Sequence, residues 1–155
     1  MSRNSYGIIH KPNPLAVIPA IEFSASMVIT ALSGKFVHKD GSNQLAISGS
    51  GTTQLAGWLM VAGAFTSNSV AGIEKASVCV DLNAIFEIPT DATFASTDIG
   101  ALLTDTCDLI TTSNVQMADI GESNEDTVKI VSADVDQQTF GVMINPGKFY
   151  TQGVA

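Results

Sequence analysis

Apolar residues are distributed along the chain in short runs, and turn-forming residues separate these runs. From Met27 onward the runs are rich in Val, Ile, Phe and Thr, and Gly, Asn, Asp or Ser interrupts them at frequent intervals. This pattern is typical of antiparallel β-strands joined by tight turns, whereas helical periodicity is scarce. The sequence therefore predicts an all-β protein of about eight to ten short strands, arranged as a small antiparallel β-barrel or sandwich.

Two hairpins are predicted most clearly. In the first, residues 35–38 and 44–48 flank an Asp-Gly pair, whose glycine permits the positive φ that a tight turn needs. In the second, residues 127–132 pair with residues 139–145 around a polar turn. The residues predicted to form the apolar face of the last strand are Phe140, Val142 and Ile144.

Two further strands and one helical turn are predicted between these hairpins. Residues 55–65 are assigned to one strand, because their two glycines disfavour a helix. Period-two alternation predicts another strand over residues 76–82, which continues toward Pro89. Residues 96–103 are predicted to form a single helical turn that Ser96 caps.

Residues 1–26 are predicted to form an extended, proline-rich N-terminal arm, and residues 27–155 to form the β domain. Prolines lack an N–H for a sheet ladder and bias the preceding residue toward extended geometry. An extended segment with apolar side chains is costly to leave in water, so we expect the arm to be ordered by contact with a neighbouring protein; a frayed terminus is the alternative. The residues proposed for that protein interface are Ile8, Ile9, Lys11, Leu15, Val17 and Ile18.

The composition also indicates a protein that binds other proteins. Charged residues make up 14% of the 155 residues, against about 25% in typical soluble domains, which suggests that part of the surface is covered in an assembly. Residues 1–40 carry four basic and two acidic residues, a net charge of +2, whereas residues 41–155 carry three basic and thirteen acidic residues, a net charge of −10. We expect Lys11 of the basic arm to pair with an acidic residue of a partner, although the acids of the body also serve solubility.

The same features argue against nucleic acid and membranes as partners. Nucleic acids are bound mainly through clustered Lys and Arg, and the net charge of this chain is −8. The longest apolar run, residues 55–65, is shorter than the roughly 20 residues that span a bilayer, and the first twenty residues lack the continuous apolar core of a secretory signal. The sequence therefore predicts synthesis in the cytoplasm.

Residues suited to catalysis or metal binding are few and scattered. His10 and His38 are the two histidines, and with Cys79 and Cys107 they show no zinc spacing, so we predict free thiols, no cofactor and no enzymatic activity. The SGSGTT segment lacks the Gly-Lys-Ser/Thr ending of a phosphate-binding loop. An acidic stretch suits either a solvated turn or a weak calcium site. Its members are Asp119, Glu122, Glu125 and Asp126.

In the order of its segments, the chain resembles the capsid decoration (cement) proteins of tailed bacteriophages, of the small β-barrel type. The similarity runs through the arm SYGIIHKPNP, the hairpin GKFVHKDGSNQLAIS, the strands QLAGWLMVAGAF and KASVCVDLNAIFEIPT, and the closing hairpin IVSADVDQQTFGVMINP. The segment ATFASTDIGALL and the predicted turn segment TTSNVQMADIG lie between them, so the resemblance covers nearly the whole chain.

The resemblance implies a structural virion protein on the outer capsid surface, at junctions between capsomers. Its partner would be the major capsid protein, it would act as a homotrimer or as single copies, and its contacts would stabilise the capsid. Two other functions fit the same pattern: a head-fibre or adhesin module that recognises a cell surface, and a structural subunit of the tail or neck. A trimeric β nucleotide hydrolase fits less well, because the chain lacks that family's Asp-Tyr base segment and Gly-rich C-terminal arm.

Overall fold

A computed structural model of the chain describes residues 6–10, 16–121 and 124–149. Within these residues the protein contains thirteen β-strands, a short α-helix and a 3-10 helix. Their bounds are β1 Ile8–His10, β2 Val17–Glu22, β3 Val28–Ile29, β4 Phe36–Lys39, β5 Leu45–Ile47, β6 Gly57–Leu59, β7 Phe65–Thr66, β8 Lys75–Cys79, β9 Ile85–Pro89, α1 Ile99–Leu102, β10 Thr106–Thr112, β11 Val115–Asp119, β12 Val128–Asp134, β13 Thr139–Ile144 and the 3-10 helix Pro146–Lys148. The all-β prediction is confirmed.

The strands form two large sheets and one small one. The six-stranded sheet has the order β1-β9-β13-β12-β10-β11, the five-stranded sheet has the order β2-β8-β6-β4-β5, and β3 pairs with β7. All these pairings are antiparallel. The strand pairings leave both large sheets open, and the described architecture is consistent with a sandwich. Isolated parallel bridges link the residue after β2 to β5, through Phe23 and Leu45, and the residue after β9 to β11, through Thr90 and Ala118.

The central strands of the five-stranded sheet, β4, β6 and β8, carry buried residues on both faces. Successive residues of its central strands point to opposite sides, as the pleat of a strand requires. One apolar cluster fills the space against the six-stranded sheet, and the second lies on the opposite face. The members from β4, β6 and β8 are Phe36, Trp58 and Cys79 in the first cluster and Val37, Leu59 and Val78 in the second.

Aromatic rings form the centre of the first cluster. The centroids of Phe36 and Trp58 are 4.9 Å apart and their planes are almost perpendicular. Phe86 of β9 stacks on Trp58 with a centroid distance of 4.8 Å. Such offset or edge-on ring pairs stabilise a core beyond the area that they bury. Trp58 therefore belongs to the core between the sheets.

Gln116 of β11 joins the two large sheets through its fully buried amide. Its Oε1 accepts a hydrogen bond from the Phe36 N–H at 2.8 Å, and its Nε2 donates to the carbonyl oxygens of Phe36 and Ser48, each at 2.8 Å. Gln116 lies on a hairpin with a two-residue turn, in which Ser113 and Asn114 both have positive φ. The sequence reasoning treated this segment as a turn and missed the hairpin and the role of Gln116.

The two predicted hairpins are confirmed as β4–β5 and β12–β13, and the apolar face of β13 is buried as expected. The single strand over residues 55–65 is wrong, because β6 ends at Leu59 and the chain turns at Gly63, where φ is +61°, before β7 begins. The strand predicted over residues 76–82 is observed as β8 and ends at Cys79. The helical turn is present, but its N-cap is Asp98 and not Ser96.

Candidate protein-binding surface

The described part of the predicted arm forms two strands that pair with the chain itself. β1 pairs with β9, which brings Ile8 opposite Phe86. β2 pairs with β8, which brings Val17 opposite Cys79. Among the described strands, β1 is at the end of the six-stranded sheet and β2 is at the end of the five-stranded sheet. The segment therefore has one terminal strand in each large sheet.

The side chains proposed for the interface differ in burial. Ile8 packs against the core cluster between the sheets. Ile9 is 51% exposed, Val17 is 39% exposed and Ile18 is 36% exposed. Lys11 and Leu15 lie outside the described residues. Three of the four described members of the predicted set are therefore available on the surface, and Ile8 has a structural role.

The backbone of a terminal strand offers a further means of binding. Such a strand presents N–H and C=O groups on one side that no neighbouring strand pairs, and these groups can pair with a second protein. Pro19 lies within β2, and a proline inside a strand is tolerated chiefly at the edge of a sheet. The apolar side chains and the open backbone edge lie on the same strands.

Lys35 ties the start of this segment to the body of the protein. Its side chain is 1% exposed, and its Nζ donates a hydrogen bond to the carbonyl oxygen of Tyr6 at 2.7 Å. The same Nζ lies 5.8 Å from the centroid of the Trp58 ring. Burial lowers the pKa of the Lys35 ammonium group. The contact fixes residue 6 close to β1, so the root of the arm is held in place.

A groove beside β1 has an acidic residue in its wall. The groove has a volume of about 350 Å³, and Ile9, Glu87 and Gly141 are among its lining residues. Glu87 is almost fully buried and accepts a hydrogen bond from the Thr139 hydroxyl at 2.9 Å. A Cβ at Gly141 would overlap the Ser132 hydroxyl and would lie 3.0 Å from the Ile9 side chain, so a larger residue here would displace side chains that line the groove. An isolated glycine inside an apolar strand is the sequence signal that could have identified this groove.

The residues considered for catalysis are separated in the structure. His38 lies on β4 with its Nδ1 3.5 Å from the Ser48 Oγ, and burial lowers its pKa against the opposing effect of Asp40. His10 is the last residue of β1. Cys79 and Cys107 are both free and buried. Burial, followed by nearby carboxylates, raises the pKa of the Cys107 thiol to about 12, so this thiol is protonated and unreactive at neutral pH.

The acidic stretch near residue 120 is organised by Asp108. The two carboxylate oxygens of this buried side chain accept hydrogen bonds from the backbone N–H groups of Asn124, Glu125 and Asp126, at 2.7–3.1 Å. Glu122 lies outside the described residues. No group of three or more His, Cys, Asp or Glu side chains suited to a metal ion occurs in the described part of the chain. The observed role of Asp108 is to cap a turn.

The described residues contain no helix of sufficient length and apolar character to cross a membrane. Comparison of the chain with protein-family models, with curated proteins and with solved structures gives no match.

Proposed function

We propose that this protein is a structural component of a bacteriophage head that binds the outside of the shell at capsomer junctions and stabilises it. The observation that carries the proposal is the presence of exposed aliphatic side chains on two terminal strands, Ile9 on β1 and Val17 and Ile18 on β2. The order of the sequence segments, which resembles that of capsid decoration proteins, supplies the identity of the partner. The low content of charged residues agrees with a surface that is partly covered.

The proposed mechanism is thermodynamic and needs no chemical step. A protein that binds only the assembled shell stabilises it at each site by RT ln(1 + [L]/Kd), where [L] is its free concentration. The apolar side chains of β1 and β2 supply the area buried on binding, and the rigid sandwich keeps them in register. We propose the major capsid protein as the partner and a homotrimer as the bound form.

Point substitutions test the proposed binding surface on β1 and β2 better than a deletion of the arm. Removing residues 1–20 would also remove β1 and most of β2 and uncover β8 and β9, so a loss of binding would be ambiguous. The triple variant Ile9→Ser, Val17→Thr and Ile18→Thr retains the backbone pairing. Full burial of an aliphatic side chain is worth about 1.5–3 kcal/mol, so burying the exposed parts of these three contributes about 3 kcal/mol, which is roughly a hundredfold in affinity.

A matched control is available in the loop between β7 and β8. Val70 and Ile73 are 58% and 62% exposed, and they lie on neither terminal strand. Binding to capsids that lack the protein, from the virus that encodes it, is measured by co-sedimentation. We expect the triple variant to lose about a hundredfold in affinity, and the double variant Val70→Thr and Ile73→Thr to stay within about twofold of the wild type. Equal binding by the triple variant and the wild type would refute the proposed surface.

A further inference from the structure

The side chain of Lys35 carries a positive charge into the interior of the protein. Only 1% of this residue is exposed, and its Nζ donates a hydrogen bond to the Tyr6 carbonyl oxygen at 2.7 Å. No carboxylate of the described residues forms an ion pair with it. A buried charge is costly unless it is paired, and a neutral carbonyl oxygen together with the Trp58 ring, 5.8 Å away, compensates this cost only in part. Burial accordingly lowers the pKa of the ammonium group.

Residues 6–10, which we call the strap, provide the hydrogen bond to this ammonium group. Within the strap, β1 is three residues long, and its pairing with β9 has an irregular register. The Glu87 N–H donates to the Gly7 carbonyl oxygen at 2.8 Å. Ile8 packs against the core cluster between the sheets, whereas Ile9 is 51% exposed. The strap is therefore a small unit that a short strand pairing and a single described core side chain attach to the body.

The pairings of the body do not depend on the strap. β9 is paired on its other side with β13 at four positions, from Phe86 to Pro89. The Lys35 carbonyl oxygen accepts a hydrogen bond from the Leu59 N–H at 2.8 Å, so the lysine is anchored to β6. Detachment of the strap would thus return the ammonium group to water and leave both large sheets paired.

We propose that the strap detaches reversibly from the body, and that the dehydration of Lys35 in the closed state makes this detachment easy. The hydrogen bond to Tyr6 determines where the closed strap lies, and the buried charge opposes closure. Because Ile9 belongs to the strap, the free protein presents this part of the proposed binding surface in a closed and an open state, and a partner that binds the closed state shifts the equilibrium toward it. This regulatory role rests on the proposed function, whereas the opening itself does not.

Hydrogen exchange of the free, full-length protein, followed by ¹⁵N NMR, measures the opening. The Glu87 amide is bonded to the strap and can exchange when the strap alone opens, whereas the Ala56 amide donates to the Val37 carbonyl oxygen within the body. We expect the Glu87 amide to exchange at least about a hundredfold faster than the Ala56 amide after correction for intrinsic rates, because local opening requires less free energy than global unfolding. Equal rates would show that the strap opens only with the whole fold and would overturn the proposal.

The variant Lys35→Met separates the two effects of the lysine on the strap. Methionine is an unbranched apolar side chain, so it removes the donor to the Tyr6 carbonyl oxygen and also removes the cost of dehydrating an ammonium group. We expect the Glu87 amide to exchange at least about tenfold more slowly in this variant than in the wild type. The matched control is Lys129→Met, which removes the same charge at an exposed position of β12 and should stay within about twofold of the wild type.

Faster exchange of the Glu87 amide in Lys35→Met would show that the lysine holds the strap closed, and an unchanged rate would show that its burial does not affect the strap. Either result would refute the proposal, as would equal slowing in Lys129→Met, which would assign the effect to net charge. The comparison of Glu87 with Ala56 uses the wild type, so it tests the opening even if a variant does not fold. Since all these measurements use the free protein, the strap and the binding of capsids by β1 and β2 can fail separately.

Discussion

The hydrogen bonds of Gln116 provide the most direct test of how the two large sheets are joined. Replacing Gln116 by alanine removes one acceptor and two donor contacts at once, all of them between β11 and the β4–β5 hairpin region. The backbone of β11 and its pairing with β10 are unchanged by this substitution, since the hairpin uses main-chain groups. The variant therefore isolates the contribution of a single buried amide.

The three lost hydrogen bonds contribute unequally to the free energy of unfolding. The Phe36 N–H loses the one acceptor that it has among the described residues, and an unsatisfied buried donor costs about 1–3 kcal/mol. The Phe36 carbonyl oxygen keeps the Ser48 N–H as a donor, and the Ser48 carbonyl oxygen keeps the Thr111 hydroxyl. Each of these two carbonyls loses about 0.5–1.5 kcal/mol, so the total loss in the free energy of unfolding is about 4 kcal/mol.

Urea and thermal unfolding, followed by circular dichroism, measure this loss. In a domain of about 150 residues, 4 kcal/mol lowers Tm by about 8–16 °C. The matched control is Gln137→Ala, because Gln137 is exposed and its hydrogen bond to Asp134 uses only the backbone N–H. The control should stay within about 0.5 kcal/mol of the wild type. A loss below about 1 kcal/mol in Gln116→Ala would refute the idea that this amide fastens the sheets.

Two further predictions concern a glycine and a thiol. Gly57→Ala should destabilise the fold by more than about 3 kcal/mol in urea unfolding, because φ is +144° there and a Cβ would overlap Val78 and the Cys79 carbonyl. The control is Gly100→Ala on α1, where a Cβ meets open space, and this variant should be neutral or stabilising by up to about 1 kcal/mol. Equal effects would contradict the packing at β6. The raised pKa of Cys107 means that the unfolded chain loses this proton above pH 9 while the folded chain keeps it to about pH 12. This thiol should therefore lower the free energy of unfolding by about 1.4 kcal/mol for each pH unit between pH 9 and 12. Cys107→Ala should show a smaller decrease of the urea midpoint with pH over the same window. An identical pH dependence in the variant and the wild type would disprove the raised pKa of Cys107.

Local turn chemistry explains which elements could be predicted from the sequence. The Asp-Gly pair and the polar residues 134–138 mark hairpins by themselves, and both hairpins are present. The β10–β11 hairpin was missed because its turn uses Ser113 and Asn114, which adopt positive φ without glycine. The strand over residues 55–65 failed because an apolar run has the same appearance whether it forms one strand or two separated by a turn.

The candidate sites depend on tertiary contacts that no local pattern contains. Ile8 and Ile9 are identical residues next to each other, and only the position of β1 on the sheet decides that Ile8 packs inward and Ile9 is exposed. Lys39 and Thr111 are far apart in sequence, and both line a cavity of about 610 Å³ beside the β4–β5 hairpin, where the Thr111 hydroxyl donates to the Ser48 carbonyl oxygen. Sequence reasoning selected three residues whose side chains are exposed, Ile9, Val17 and Ile18, and their role in an interface stays a prediction.

The pairing of β1 with β9 and of β2 with β8 has a consequence for synthesis on the ribosome. The first strands to emerge have to wait for partners that end at Pro89 and Cys79, respectively. At about 5–20 residues per second, the ribosome needs several seconds to make the intervening chain. During that interval β1 and β2 have no partner strands, so nascent chains are most vulnerable to aggregation and to chaperone capture before residue 89 has left the exit tunnel.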